Sequence, residues 1–236
     1  MGLPKIDQPL FECTIPSTEK KITFRPFTVK EEKVLLIARE AGDLDQIVLA
    51  VKQIVGNCCN DLDVEKLAVF DLEYLMLQLR AKSVNNEVKF NIKDPDTEEE
   101  VELTLDIDDI QIVRDPNHTK KVSLNDQYYM MMRYPTINEL ASLQVEEGKS
   151  EEQVLFDTMV SCIETLVDSN TDEVYNFSEF SAEEIEDFVD QFTSGTIAEL
   201  QQFFAGTPKM KYSVEYTNKD GKEKTFTMEG VETFFT

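Results

Sequence analysis

The chain has 236 residues, enough for one large domain or two small ones, and 41% are hydrophobic, so a sizeable core can form. With 47 acidic against 23 basic residues the formal net charge is -24, which repels phosphate backbones and speaks against nucleic acid as a partner while favouring solubility and basic protein partners. No apolar run approaches the length of a membrane-spanning helix, and the opening stretch MGLPKIDQPL lacks the basic-then-apolar order of a secretory signal.

Along the chain, FECTIPSTEKKITFRPF alternates apolar and polar residues on both sides of PSTEK and reads as a β-hairpin. Thr28 caps a helix, with Glu31 three residues on as its capping-box partner. Val34, Leu35, Ile37 and Ala38 supply the apolar face, and Gly42 stops it. A second helix starts at Asp43 and carries Leu44, Ile47, Val48, Val51, Ile54 and Val55 at helical spacing. A third covers DVEKLAVFDLEYLMLQLRAKS, with a break expected near Phe70–Asp71, and Leu72, Leu75, Met76 and Leu79 as its core stripe.

The period then changes to alternation. EVKFNI, EEVELTLDI, IQIV and KKVSLN predict about four short strands, punctuated by Asp94–Pro95 and Asp115–Pro116. Helices return after MMMRYP: Thr136 with Glu139 caps INELASLQ, Ser150 caps EEQVLFDTMVSCIETLV, Ser181 with Glu184 caps AEEIEDFVDQF, and Thr196 opens IAELQQFFAG, which stops at Gly206. MKYSVEYTNKDGKEKTFTM closes as a hairpin around NKDG. The expected fold is α+β: mostly helical, with an N-terminal β-hairpin, a central antiparallel β insertion and a C-terminal β-hairpin. The expected divisions are 1–83, 84–134 and 135–236, with the last able to join 1–83 in one compact unit. No internal repeat is read.

The chemistry is sparse. Cys13, Cys58, Cys59 and Cys162 make no C-x2-C pair, and His118 is the one histidine, so a zinc set is not expected. Buried thiols in a reducing compartment are. His118 has Asp115 and Asn117 beside it but no assignable nucleophile. No phosphate-cradling loop is present. No catalytic residue, cofactor or metal is therefore expected.

One loop tests that view. In DSNTDEVYNFSE, Asp168, Asn170, Asp172 and Glu179 fall at positions 1, 3, 5 and 12 of a calcium loop. Position 6, where such a loop uses Gly, is Glu173, and no second loop pairs with it. The alternative is a polar connection with VYNF packing on a core edge. As partner anchors, the exposed-aromatic candidates are Phe203, Phe204, Phe234 and Phe235, although one residue of each pair can equally face the protein's own core.

Several stretches carry a resemblance: LPKIDQPLFECTIPSTEKKITFRPFTVKEEKVLLIARE, DLEYLMLQLRAKSV, MMRYPT, SAEEIEDFVDQFTSGTIAELQQFFAGTPKMKYSVEY and GVETFF. The chain resembles the baseplate assembly proteins of T4-like bacteriophages over most of its length, with FRPFTVKEEK and the C-terminal FF..TPK before a hairpin as the most specific pieces. The resemblance implies a non-enzymatic, chaperone-like factor for the central hub of a contractile tail baseplate. It also implies hub or tape-measure proteins as partners, and a location in the host cytoplasm during assembly or in the virion tail. The alternatives are a permanent baseplate subunit and, from the residues alone, a calcium-binding interaction protein. Some relatives carry paired cysteines in their hairpins. The turns here read KDPDTEE and TNKDG and hold none.

Overall fold

The computed structural model describes residues 6–42, 44–142 and 150–229. The fold is α+β, but the expectation of a mostly helical chain with a few hairpins is overturned. Of the described residues 40% are helical and 28% extended, and eleven strands form four antiparallel sheets. The chain packs as two compact units, Met1–Val113 with Lys209–Thr236, and Arg114–Pro208. The stretch 84–134 supplies strands to both.

The first unit opens with the expected hairpin, β1 (Phe11–Thr14) and β2 (Lys21–Phe24), with Cys13 opposite Ile22 and Phe11 opposite Phe24. Helix α1 (Val29–Ala41) carries the Thr28/Glu31 capping box and ends at Gly42, whose φ of 67 is the left-handed cap that glycine adopts without a Cβ penalty. Its apolar face is narrower than the sequence suggests: Ala38 is buried, but Ile37 is 68% exposed. Helix α2 (Leu44–Cys58) buries Ala50, Ile54, Val55 and Cys58.

A 3-10 turn at Val64–Lys66 leads to α3 (Val69–Ser83). The break therefore falls at Leu67–Ala68 and not at Phe70–Asp71. Asp71 is instead wholly buried and accepts hydrogen bonds from the Ser17 amide at 2.8 Å and the Ser17 hydroxyl at 2.5 Å, tying the β1–β2 turn to the helix. Because α3 buries Phe70, Leu72, Leu75, Met76, Leu77 and Leu79, it is covered on most sides and acts as the unit's central rod. Next come the hairpin β3 (Glu87–Lys93) and β4 (Glu100–Asp106), and the short β5 (Gln111–Val113).

The second unit holds β6 (Lys121–Ser123), β7 (Tyr128–Met132), α4 (Ile137–Ser142), α5 (Glu151–Ser161), β8 (Ile163–Asp168), β9 (Val174–Asn176), α6 (Ala182–Val189) and α7 (Ser194–Ala205). The strands form one sheet in the order β6-β7-β8-β9. The helix expected to run from Ser150 through Val167 ends at Ser161. Beyond Cys162, the β-branched Ile163, Thr165 and Val167 fall on alternate positions, a pattern that suits a pleated strand, and they pair with β7. Helix α7 starts at Ser194, two residues before Thr196, because Thr193 is the cap and its hydroxyl accepts from the Thr196 amide. The core collects Val122, Met130, Met132, Met159, Cys162, Ile163, Leu200 and Phe203.

The chain then returns to the first unit as β10 (Lys209–Thr217) and β11 (Glu223–Glu229), which form a sheet in the order β11-β10-β5. Leu77 of α3, Leu105, Ile107, Met210, Tyr212 and Met228 make the core beneath it.

Candidate functional site

The most ordered polar constellation occurs once in each unit. In the first, Arg25 leaves β2 and places Nη2 3.0 Å from Glu31 Oε1 and 3.2 Å from the Asn57 carbonyl, and Nη1 3.0 Å from the Pro26 carbonyl. Its own amide donates to the Cys58 carbonyl at 2.9 Å. Glu31 Oε2 accepts from the Thr28 amide at 2.8 Å and the Thr28 hydroxyl at 2.6 Å. One arginine thus joins the end of a strand, the start of α1 and the end of α2. Burial pushes the Glu31 carboxyl up, but the hydrogen bonds from Arg25 and Thr28 outweigh it and hold the group at about 2.

In the second unit Arg133 leaves β7 and grips Glu139 with both arms, at 2.9 and 2.5 Å, and donates to the Ser161 carbonyl at 2.7 Å. Its amide donates to the Cys162 carbonyl at 2.9 Å. Glu139 Oε2 accepts from the Thr136 amide at 2.7 Å and the Thr136 hydroxyl at 3.1 Å. Burial pushes this carboxyl up as well, and the bonds from Arg133 and Thr136 hold it below its ordinary value. The expectation of no internal repeat is corrected: hairpin, arginine, capping box, two helices and a cysteine recur in the same order. The signal was present in the sequence, as Arg-Pro-Phe-Thr-x-x-Glu at 25–31 and Arg-Tyr-Pro-Thr-x-x-Glu at 133–139. Every oxygen of these carboxylates accepts at least one hydrogen bond, which suits a structural clamp.

The calcium-pattern residues sit on a β connection. Asp168 ends a strand, not a helix, and accepts from Gln127 Nε2 at 2.7 Å and from the amides of Asn170 at 2.8 Å and Thr171 at 3.3 Å. Those bonds, Gln127 first, hold it below its ordinary value. The left-handed residue is Asp172, with φ 57, so the turn needs no glycine at Glu173. Glu179 accepts from Asn176 Nδ2 at 2.9 Å inside a 3-10 turn. Among the described residues no group of three or more His, Cys, Asp and Glu is arranged to hold a metal ion.

Of the aromatic candidates, Phe203 is 3% exposed and lies in the second unit's core. Its ring stacks on His118 at 5.0 Å and on Tyr134 at 5.7 Å, and half-buried Phe204 meets it edge-on at 5.0 Å. Phe234 and Phe235 lie outside the described residues. His118 Nε2 is buried without a hydrogen-bond partner among the described residues, and burial lowers the imidazole's pKa. Burial likewise pushes the thiols of Cys13, Cys58 and Cys162 to about 11 and that of Cys59 to about 12, the opposite of a reactive thiolate.

Two surface features remain. Val29, Leu36 and Ile37 leave apolar area exposed on α1. A shallow hollow lies along the β1–β2 hairpin, lined by Glu12, Lys20, Lys21, Thr23, Asn60 and Asp61 with Ile22 beneath. No helix among the described residues is long and apolar enough to cross a membrane.

Neither a curated protein nor a solved structure matches the chain. The family described as T4 bacteriophage base plate protein matches residues 8–236, a span that takes in both arginine clamps and the closing hairpin. The chain belongs to the T4 bacteriophage base plate protein family.

Proposed function

We propose that this baseplate protein is a non-enzymatic, chaperone-like factor that binds hub or tape-measure proteins while the baseplate hub is assembled in the host cytoplasm. The observation that carries the reading is the reach of the family match, 8–236, which takes in both compact units. Two further features support it. The buried carboxylates Glu31, Asp71, Asp94 and Asp168 each hold a cap or a turn. The exposed side chains of Val29, Leu36 and Ile37 offer apolar area to a partner. Co-expression with the hub and tape-measure proteins of the same phage is expected to give a soluble complex that survives gel filtration. Repeated failure to recover one sinks the proposal.

The family description names the base plate itself, which favours a second reading, a permanent subunit of the virion tail. Mass spectrometry of purified virions separates the two. A transient factor is absent, and a subunit is present at fixed stoichiometry.

A further inference from the structure

The two clamp modules differ at one edge. In the second unit β8 runs antiparallel along β7, with Thr165 opposite Met131, Leu166 opposite Met130 and Val167 opposite Tyr129. Aligning Arg133 with Arg25 makes Met131, Met130 and Tyr129 the counterparts of Thr23, Ile22 and Lys21. In the first unit the chain leaving α2 begins the same pairing, with Cys59 opposite Phe24 and the Asn60 amide bonded to the Thr23 carbonyl at 3.0 Å. It then turns away at Asp61, in the left-handed region at φ 54. Beyond that bridge no strand among the described residues pairs with β2 in the place that β8 takes beside β7, and the hollow lined by Lys21, Thr23, Asn60 and Asp61 opens there, with Glu12 of β1 also on its wall.

The backbone there is ready to pair. The Thr23 carbonyl and the Arg25 amide both point away from β1, since they bond Asn60 and Cys58. By the two-residue period of a strand, the Thr23 amide and both backbone groups of Lys21 point the same way. Among the described residues they have no hydrogen-bond partner. Ile22 is buried beside the gap, while Lys21 and Lys20 are exposed at its rim together with Glu12; Lys20 Nζ donates to the Asp61 carbonyl at 2.9 Å, and Lys21 is the cation nearest the open edge.

We propose that the outer edge of β2 is a docking site for an extended segment of a partner polypeptide. The segment adds antiparallel to β2, sets an apolar residue opposite Ile22, and places a carboxylate by Lys20 and Lys21. Main-chain bonds supply affinity, and the alternating pocket and lysines supply selectivity. β8 shows the matching pattern, with Leu166 followed two residues later by Asp168. The assembly role above bears only on which baseplate protein brings the segment. The edge itself can be tested without any.

The probe is a synthetic peptide, IETLVDSN, added to the full chain labelled with nitrogen-15. With peptide at about ten times its dissociation constant, the amides of Lys21 and Thr23 are expected to shift and to exchange about tenfold more slowly. Thr23→Pro removes one outward amide at an edge position that tolerates proline, and is expected to abolish the effect while the spectrum of the rest of the chain is kept. Lys21→Glu is expected to weaken binding of this peptide and to leave a variant peptide with Asn in place of Asp less affected. The proposal is overturned if the peptide leaves those amides unchanged or acts equally on Thr23→Pro. It is also overturned if the free chain already protects them and loses that protection on removal of residues 1–5 or 230–236, or on dilution. Those last results would assign the edge to the chain's own terminus or to a second copy.

Discussion

Asp94 and Tyr216 stand 122 residues apart in the chain, and the Tyr216 hydroxyl donates to Asp94 Oδ2 at 2.7 Å. Asp94 is wholly buried, and its other oxygen accepts from the amides of Asp96 at 3.0 Å and Thr97 at 2.9 Å and from the Thr97 hydroxyl at 3.0 Å. Lys224 lies 3.7 Å away. One carboxylate therefore closes the β3–β4 turn and fastens the last hairpin to it. Tyr216→Phe is expected to lower the thermal midpoint by a few degrees and to speed amide exchange in β3 and β11. Asp94→Ala is expected to do more, because it also frees the turn's amides. A midpoint unchanged in Asp94→Ala would remove this residue from the account.

The clamp of the first unit makes a graded prediction. Arg25→Ala leaves Glu31, whose side chain is 4% exposed, with Thr28 as its sole donor, and the loss of the charged bond is expected to cost roughly 1.5–3 kcal/mol in urea unfolding. Arg25→Lys is expected to recover part of this at most, because an ammonium cannot span Glu31, the Asn57 carbonyl and the Pro26 carbonyl at once.

A methyl group at position 206 would meet His118. The Cβ of an alanine there would lie 2.7 Å from His118 Nδ1, although a φ of -84 suits alanine well. Gly206→Ala is expected to cost about 1–3 kcal/mol by overpacking. In the His118→Ala background the cost should shrink, because the obstructing ring is gone, and a double-mutant cycle reads the coupling. Additive losses would show that the ring is not the obstacle.

Acid should act on both units in the same direction. Glu31 takes up its proton near 4.5 when unfolded but at about 2 when folded. Between those values the unfolded chain binds more protons, so stability present above the window is lost as pH falls through it. Glu139 has the same sign. His118, lowered from 6.5 by burial, is neutral when folded and charged when unfolded just below that value, so stability again falls with pH. Urea midpoints measured down the pH scale should decline in two stages. Glu31→Gln should make the acid stage shallower without removing it, since Glu139, Asp94 and Asp168 are also held low, and His118→Phe should flatten the one near neutrality.

Val113 and Lys209, the first-unit residues that flank the second unit in the chain, face each other on β5 and β10. A chain in which a two-residue Asn-Gly turn replaces residues 114–208 is expected to fold, since an antiparallel pair is readily closed by so short a link. Amide exchange should show β3, β4, β10 and β11 protected. An unfolded product would show that the first unit needs the second to fold.

Local chemistry was legible in the sequence. The caps at Thr28, Thr136, Ser150 and Ser181, the stop at Gly42 and the hairpin turn at Asn218–Gly221 follow from residue type and spacing alone. What escaped were elements decided by distant partners. β8 continues an apolar run begun in α5, and only its pairing with β7 separates strand from helix. Asp71 resembles a cap and serves a turn 54 residues away. Phe203 resembles a surface anchor and is enclosed by His118 and Tyr134, which arrive from other parts of the chain.

The return of β10 and β11 to the first unit has a consequence for synthesis. Arg114–Pro208 is continuous and can fold as it leaves the ribosome. The earlier residues cannot finish, because β5 waits for its neighbour and Leu77, Leu105 and Ile107 wait for Met210, Tyr212 and Met228. Translation therefore completes the insert before its host, and a ribosome that stalls before Lys209 releases a product with one finished unit and one open core, a ready substrate for host proteases.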